Sequence, residues 1–332
     1  MPTIVPYTFE KKEEKAIYFT SLIKGMKVLI ATEKPFAKAA VEGIKSILEA
    51  ANYEVALLEK YTDRAQLLDA VRDADALIVR SDKITAEVME AAPNLKIVVR
   101  AGAGYDNVDT AAAKARGIVV MNTPGQNSNA VAELAIALMI YISRNKFTAG
   151  TGAEIQGKTL AIHAYGNVGR LVARKGKALG MNVIAYDPFI ADAQVFAADG
   201  VEQAGSVAEL YSRADFLSLH IPATDQTRKS IGYDLLKSMP KGATLVNTAR
   251  KEVIDEDGLI AALTEREDLK YITDIAPDAN EEMAERFGKR YFATPKKMGA
   301  ETAEANMNAG LAAARQIVDY FVNGTTRFQV NK

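Results

Sequence analysis

The sequence has no cysteine and only two histidines among its 332 residues. The lack of cysteine excludes disulfides, thiolate metal sites and cysteine nucleophiles. It also suits a reducing compartment, so we expect a cytoplasmic protein. His163 and His220 lie far apart in the sequence, and a metal site built from histidines is therefore not expected.

The sequence also lacks an excess of charge of one sign and long apolar runs. Its 41 Lys and Arg residues nearly balance its 42 Asp and Glu residues, so neither nucleic acid nor a membrane surface is an expected partner. No apolar run approaches the roughly 18 residues of a membrane-spanning helix. The charged segment at residues 10–15 is unlike a secretory signal. A chain of 332 residues is long enough for two domains with separate cores.

Short β-rich runs alternate with helical patterns through most of the chain, which is typical of an α/β fold with parallel sheets. Strands are predicted at residues 27–31, 53–58, 76–79, 96–99, 118–121, 159–163, 181–186, 216–219, 244–246, 271–275 and 291–293. Helices are predicted at residues 37–50, 65–72, 110–115, 129–144, 170–179, 231–239, 256–266 and 303–322. The glycine-rich residues 148–157 are predicted to form a linker.

A dinucleotide-binding pattern occupies the middle of the chain. An apolar strand at residues 159–163 precedes Ala164-Tyr165-Gly166-Asn167-Val168-Gly169, a helix follows, and the next strand ends at Asp187. Backbone N–H groups at such a helix start can bind a pyrophosphate, and an acid at the second strand end can accept hydrogen bonds from ribose. Asp187 follows Gly169 by 18 residues, near the interval of about 20 that is expected. It favours NAD because an acid would repel a 2′-phosphate.

The first glycine position of this pattern holds Ala164, so the turn must tolerate a methyl group. The alternative interpretation is an ordinary βαβ turn without a ligand. Because the pattern lies in mid-chain, the domain that contains it is predicted to be inserted into the other one. We predict a substrate-binding domain at residues 26–122 plus 301–332 and an NAD-binding domain at residues 123–300. Residues 1–25 are expected to add a helix or strand packed on the body.

Arg250 ends the segment Val246-Asn247-Thr248-Ala249-Arg250, which continues from the predicted strand at residues 244–246. Ligands of doubly wound sheets bind at the carboxyl ends of the strands, where a guanidinium can hold a carboxylate by two hydrogen bonds. Oxidation of an alcohol also needs a group that accepts the hydroxyl proton. The alternative for Arg250 is a surface arginine at a strand end.

The segment VNTARKEVID, residues 246–255, resembles the signature of the D-isomer-specific 2-hydroxyacid dehydrogenases, in which this arginine is the substrate anchor. The resemblance extends from residue 26 to the C-terminus and includes ALIVRS (76–81), VRAGAGYDNVD (99–109), MNTP (121–124), VAE (131–133), YDP (186–188) and SLH (218–220). It implies an α/β fold of two doubly wound parallel-sheet domains, a Rossmann NAD domain inserted into a flavodoxin-like substrate domain.

The VRS, RAGAGYDNVD and MNTP forms are most similar to family members that oxidise 3-phosphoglycerate with NAD at the start of serine biosynthesis. Arg80 and Ser81 suit a phosphate, and the loop at residues 101–104 can offer backbone N–H groups to a carboxylate. Alternatively, Arg80 forms a surface ion pair. The alternatives for function are another 2-hydroxyacid reductase, acting on glyoxylate or hydroxypyruvate, and a non-catalytic NADH-sensing protein.

Two positions depart from the family pattern. Family members pair a glutamate with a later histidine that serves as acid/base; counted from Arg250, these positions hold Ala279 and Lys297. Alignment on Thr294-Pro295 would select Lys296 instead. A glutamate would raise the already high lysine pKa of about 10.4, whereas its loss, together with Arg250, Lys296 and desolvation, moves the pKa toward neutrality. We therefore predict Lys297 as the acid/base; alternatively, it only binds substrate.

The resemblance implies further site residues. His220 would neighbour the cofactor, Asp274 would bind the nicotinamide carboxamide, and His163 is expected to be buried and hydrogen-bonded. The implied substrate contacts are Arg80, Ser81, Ala101, Gly102, Arg250, Lys296 and Lys297. The implied cofactor contacts are Ala103, Tyr165, Gly166, Asn167, Val168, Gly169, Asp187, Pro188, His220, Ile221, Pro222, Thr248, Ala249, Asp274, Gly299 and Ala300.

The resemblance also implies a homodimer through the NAD domain that acts on a small phosphorylated 2-hydroxy or 2-oxo acid. Many relatives place substrate-facing residues of a partner subunit in the linker, which is short here. The short linker therefore puts a substrate contact from the partner subunit in doubt. The chain ends soon after the final predicted helix, so no regulatory domain is expected either.

Overall fold

The computed structural model describes residues 25–332, which form two compact units. Unit 1 contains the described residues up to Asn127 together with Ala303–Lys332, and unit 2 is Ser128–Thr302. The predicted division lay a few residues earlier, after residues 122 and 300. Residues 1–24, to which the prediction of an added N-terminal element applies, lie outside the described part.

Unit 1 is built on a sheet of five parallel strands in the order β2-β1-β3-β4-β5, which is the flavodoxin-like order. The strands are β1 (Lys27–Thr32), β2 (Glu54–Glu59), β3 (Ala76–Val79), β4 (Ile97–Arg100) and β5 (Val119–Asn122). The helices are α1 (Lys38–Ala50), α2 (Arg64–Ala70), α3 (Ala86–Glu90), α4 (Thr110–Ala115) and, from the end of the chain, α12 (Ala303–Asn323). One apolar core lies on each face of this sheet.

Unit 2 is built on seven parallel strands in the order β12-β11-β10-β9-β6-β7-β8. The strands are β6 (Thr159–His163), β7 (Asn182–Tyr186), β8 (Glu202–Gln203), β9 (Phe216–Leu219), β10 (Thr244–Asn247), β11 (Lys270–Thr273) and β12 (Tyr291–Ala293). The helices are α5 (Ser128–Ser143), α6 (Asn167–Ala178), α7 (Gln194–Ala197), α8 (Val207–Ser212), α9 (Tyr233–Lys237), α10 (Glu256–Glu265) and α11 (Asn280–Phe287).

The strand order of unit 2 reverses at β6, which pairs with β7 on one side and β9 on the other. This is the Rossmann arrangement, in which ligands bind at the carboxyl ends of the strands beside the reversal point. The predicted fold class of two doubly wound parallel sheets is confirmed.

The structure corrects several element boundaries. The helix predicted from residue 231 begins at Tyr233, because Ile231 forms a β-bridge with Ile254. The strand predicted to reach residue 275 ends at Thr273, whose hydroxyl accepts the Ile275 N–H at 3.0 Å and turns the chain. The short helices α3, α7, α8 and α11 and the two-residue strand β8 had not been predicted, since each is too brief to show a clear apolar period. Within residues 25–332, no helix combines the length and apolar character that crossing a membrane requires.

Candidate active site

The turn between β6 and α6 combines a left-handed backbone conformation with a close approach of the helix to the strand. Ala164 has a φ of +78°, a left-handed conformation that L residues with a side chain adopt at a cost. Its N–H continues the sheet by donating to the Tyr186 carbonyl at 2.9 Å. A Cβ at Gly169 would collide with the Ala164 carbonyl oxygen, so this glycine is required by the close approach of helix and strand.

Gly166 differs from Gly169, because neither its backbone nor its protein neighbours require a glycine. Its φ of −82° is accessible to any residue, and a Cβ placed there would meet no atom of the described residues within 4 Å. The space lies at the N-terminus of α6, beside the backbone of Asn167 and Val168. Open space above a helix N-terminus fits a pyrophosphate that approaches the backbone closely.

Asp187 follows β7 and has both carboxylate oxygens engaged. Oδ2 accepts the Tyr165 N–H at 2.8 Å, and Oδ1 accepts the Phe189 N–H at 2.9 Å. These two bonds fix the carboxylate beside the turn, and a carboxylate oxygen can accept further hydrogen bonds from ribose hydroxyls. Pro188 and Phe189 are exposed.

Both histidines are held neutral. Burial lowers the pKa of His163 to about 4, and its Nδ1 lies 3.2 Å from the Tyr211 hydroxyl. Burial, with a smaller effect of His163, lowers the pKa of His220 to about 3. His220 follows β9, where its Nε2 lies 2.9 Å from the Ser218 hydroxyl; Ile221 after it is buried and Pro222 is exposed. Neither histidine is therefore poised to carry a proton near neutral pH.

Arg250 and Lys297 meet at one backbone carbonyl. The Arg250 Nη1 and the Lys297 Nζ each donate to the Ala249 oxygen at 2.9 Å. The loop that carries this oxygen is fixed by Asn247, whose side chain donates to the Arg250 carbonyl and accepts the Ala249 N–H. Two cationic groups at one oxygen form a binding position for an anion such as a carboxylate.

The pKa of Lys297 is lowered to about 8, by burial first and by the positive charge of Arg250 second. Asp274 and Glu252 oppose this shift. The side chain nevertheless remains accessible to solvent, as a group that exchanges protons with a substrate must be. A lysine with a pKa near neutrality can act as a general acid or base. Lys296 is exposed and makes no contact with the Ala249 carbonyl.

Asp274 lies fully buried at the end of β11, and burial raises its pKa. Its Oδ2 accepts the Gly299 N–H at 2.8 Å, whereas its Oδ1 is buried and has no hydrogen-bond partner among residues 25–332. The Thr248 hydroxyl is a second buried group without a partner. Gly299 is required here because a Cβ would lie 2.8 Å from the Asp274 carboxylate. A buried acceptor without a donor is what an amide-bearing ligand such as nicotinamide would satisfy.

Position 279, where the family pattern has a glutamate, holds Ala279. The preceding residue, Asp278, pairs with Lys251. The Glu256 carboxylate accepts the N–H groups of Asp278 and Ala279, at 2.9 and 3.0 Å, and so fixes this loop. Glu281 is exposed in the first turn of α11. The acids that influence the Lys297 pKa are Asp274 and Glu252, and sequence reasoning did not single out Glu252.

In unit 1, Arg80 is anchored by its own chain. Its Nη1 donates to the carbonyls of Lys34 and Pro35 at 3.1 and 3.0 Å, and its Nη2 donates to Asn306. The guanidinium also lies over the Phe36 ring, 5.3 Å from its centroid. Arg80 therefore uses N–H groups of both its Nη1 and its Nη2 atoms to connect the end of β3 to neighbouring segments. Ser81, which follows it, is exposed.

Arg100 is a candidate that sequence reasoning missed. It ends β4, and its Nε donates to the Arg80 carbonyl at 2.9 Å. Its guanidinium lies directly against Gly102, where a Cβ would collide with it. The signal in the sequence was available: an arginine at a strand end immediately before a glycine-rich loop.

The loop after Arg100 presents backbone donors. Asn122 and Thr123 hold it by donating to the carbonyls of Ala103 and Gly102, at 2.6 and 2.9 Å. Across the described part of the chain, the N–H groups of Gly102, Ala103 and Gly104 donate to no other residue. Ala101 is committed to the sheet by donating to the Val79 carbonyl at 2.8 Å. The loop can thus present several N–H groups to an anion.

Unit 2 also carries an apolar groove between α5 and α6. It is lined by Glu133, Ile136, Ala137, Ile140, Lys175, Ala178 and Leu179. Ile140 and Leu179 are exposed, and Lys175 lies 3.5 Å from Glu133. None of these residues belongs to the sites described above. Among residues 25–332, no group of three or more acidic, histidine or cysteine side chains is placed to hold a metal ion.

Comparison with protein families identifies residues 133–290 as matching the NAD-binding domain of D-isomer specific 2-hydroxyacid dehydrogenases. A D-3-phosphoglycerate dehydrogenase of Methanocaldococcus jannaschii is 39% identical over 83% of this chain and 55% of its own. A hydroxypyruvate reductase of Thermotoga maritima is 34% identical over 80% of this chain and 90% of its own. The chain spans about half the length of the first curated relatives it matches.

Among solved structures, a 3-phosphoglycerate dehydrogenase of Entamoeba histolytica with bound NAD+ has a TM-score of 0.83 and 50% sequence identity. That match covers 93% of this chain and 99% of the other. The similarity therefore extends over both units.

Proposed function

This chain belongs to the D-isomer specific 2-hydroxyacid dehydrogenase family, and on that premise we propose that it oxidises 3-phosphoglycerate to 3-phosphohydroxypyruvate with NAD. The observation that carries the proposal is the convergence of Arg250 and a lysine of lowered pKa, Lys297, on the Ala249 carbonyl. This pair offers a carboxylate anchor and a proton acceptor at one place.

We assign the cofactor to three features of unit 2. The open space at Gly166 would take the pyrophosphate, Asp187 the adenosine ribose, and the unpartnered Oδ1 of Asp274 the carboxamide. When bound, NAD supplies the acceptor for the hydride that leaves C2 of the substrate. Asp274 is suited to orientation rather than proton transfer, because its Oδ2 is already committed to Gly299.

We assign the remaining two tasks, substrate binding and proton transfer, to Arg250 and Lys297. Arg250 would hold the substrate carboxylate and thereby orient C2 and its hydroxyl. Lys297 in its neutral form would take the hydroxyl proton as the carbonyl forms, and its ammonium form would return a proton in the reverse direction. The positive charge of Arg250 favours the neutral amine of Lys297. The residue that would bind the substrate carboxylate therefore also lowers the pKa of the proposed base.

In unit 1 we assign the phosphate to Arg100 and to the N–H groups of the loop at residues 102–104. Arg80, the residue chosen from the sequence, supports this group by accepting the Arg100 Nε–H at its carbonyl. Ser81 remains a proposed hydroxyl donor.

Hydroxypyruvate reduction is the second candidate function, because the Thermotoga relative carries that name and is matched over 90% of its length. The test is NADH oxidation with 3-phosphohydroxypyruvate, hydroxypyruvate and glyoxylate in parallel. We expect the highest kcat/KM with the phosphorylated substrate. A preference for hydroxypyruvate would overturn the phosphate assignment, and NADH binding without turnover of any substrate would favour a non-catalytic sensor.

We further propose a homodimer through the groove between α5 and α6. Its exposed Ile140 and Leu179 form an apolar surface that is bordered by the Glu133–Lys175 pair, as expected of an interface centre with a polar rim.

Ile140→Glu is expected to convert the protein from a dimer, at twice the 35.9 kDa chain mass, to a monomer. A charge buried in an apolar interface has no partner to offset its desolvation. Light scattering coupled to size exclusion measures the mass. Leu57→Glu, at an equally exposed leucine of unit 1, is the matched control and should stay dimeric. A dimer that persists in the Ile140 variant would contradict this assignment.

A further inference from the structure

The strained turn at Ala164 requires something to hold it. An L residue relaxes from positive φ unless the surrounding contacts prevent it, and such strain persists where those contacts fix the backbone on both sides. On the N-terminal side the sheet does so, through the bond from the Ala164 N–H to the Tyr186 carbonyl. On the C-terminal side the next residue is Tyr165, whose side chain is 1% exposed.

Tyr165 is fixed by three neighbours within unit 2. Its ring stacks on Phe196, with centroids 4.8 Å apart, and its hydroxyl donates to the Asp199 Oδ2 at 3.0 Å. Arg170, in the first turn of α6, donates from Nε to the same oxygen at 3.0 Å and lies over the Tyr165 ring. The turn and the start of α6 are therefore tied to one carboxylate.

Asp199 is itself well anchored. Arg174 lies 3.4 Å from its Oδ1, and Lys177 donates to its backbone carbonyl at 2.7 Å. Burial would raise the pKa of Asp199, but hydrogen bonds from Arg170 and Tyr165 prevail and hold the pKa below its usual value. The acceptor consequently stays ionised at neutral pH.

The contacts of Tyr165 affect both the proposed ribose site at Asp187 and the proposed pyrophosphate site at the start of α6. The Tyr165 N–H is the donor that fixes Asp187, and Tyr165 directly precedes Gly166 at the start of α6. If Ala164 relaxed to negative φ, the Tyr165 backbone would rotate away from Asp187 and the helix N-terminus would shift. We propose that Tyr165 and Asp199 are positioning residues that hold the strained turn, and with it the ribose acid and the pyrophosphate-binding helix start, in the form that binds NAD(H).

This inference rests on the proposed use of NAD(H), and it makes a specific prediction of coupling. Tyr165→Phe, or Asp199→Asn, should raise the NADH dissociation constant by about three- to tenfold. A change of this size corresponds to the net free energy of one buried hydrogen bond. When Tyr165→Phe or Asp199→Asn is combined with A164G, the NADH dissociation constant should rise by less than about twofold, because glycine adopts this φ without strain. Fluorescence titration of NADH with the full-length protein measures both.

Hydrogen exchange of the peptide covering residues 160–170, without NADH, is the second readout. Exchange should be faster in Asp199→Asn and return to the parental rate when A164G is added. Tyr291→Phe removes another buried hydroxyl of unit 2, which donates to Asn280 at 2.7 Å, and is the control. It should lower stability without changing NADH affinity or exchange at the turn.

Equal losses of NADH affinity in the parental and A164G backgrounds, or no change in exchange in Asp199→Asn, would overturn the inference. Failure of the parent protein to bind NADH would instead contradict the proposed function. The exchange experiment would still decide whether the contacts of Tyr165 hold the turn.

Discussion

Lys297→Ala is expected to lower kcat for 3-phosphoglycerate oxidation by about 100- to 10,000-fold, the usual contribution of a general acid–base group. The reason is that Lys297 is the group of lowered pKa beside Arg250, the proposed carboxylate anchor, and that the pKa of each histidine of the protein is lowered well below neutrality. NADH affinity, measured by fluorescence, should stay within about twofold of the parent value, because none of the three features assigned to the cofactor is removed.

The neighbouring Lys296 provides the matched control. Lys296→Ala removes the same charge one residue away, from an exposed position that does not reach the Ala249 carbonyl. We expect its kcat to fall by less than about fivefold. A larger loss in Lys296→Ala than in Lys297→Ala would reverse the assignment of the acid/base.

Arg250→Ala is the second change with a large expected effect, a loss of about 100- to 10,000-fold in kcat/KM. Two effects combine in it. The substrate carboxylate loses its proposed anchor, and Lys297 loses the positive charge that favours its neutral form. The KM for 3-phosphoglycerate should rise, and the pKa of Lys297 should move upward.

Arg250→Lys separates these two effects. It keeps a positive charge but loses the planar fork that holds a carboxylate by two bonds. The pH dependence should therefore remain close to that of the parent while the KM stays raised. Steady-state kinetics over a range of pH measures both quantities, and an unchanged KM in either variant would contradict the anchor role.

The two-sheet fold was predictable from the sequence because apolar runs and turn residues mark every strand except the two-residue β8. Short elements such as α11 were not, since its eight residues show too little of the helical period. The start of α9 was also misjudged, because the β-bridge of Ile231 with Ile254 is a tertiary contact that local sequence cannot reveal.

The sequence points to a site residue most directly where one residue type follows one strand, as with Arg250 and Asp187, and the roles of both stay predictions. Local sequence cannot show hydrogen bonds between distant segments. The sequence predicts Arg80 as a phosphate ligand, and the structure adds that its guanidinium donates to Lys34 and Pro35 and that Arg100 lies against the loop. Likewise, the sequence allows either lysine as acid/base; Lys297 contacts the Ala249 carbonyl and is the one we propose.

The pH dependence of kcat/KM for 3-phosphoglycerate oxidation tests the central claim most directly. Lys297 must be neutral to accept a proton, and its folded pKa is about 8. The rate should therefore rise with pH below about 8 and level off above it, while reduction of 3-phosphohydroxypyruvate should fall over the same range. In Lys297→Ala this dependence should disappear along with most of the activity. A rise near pH 8 that persists in Lys297→Ala, or near-parental turnover in that variant, would contradict the account.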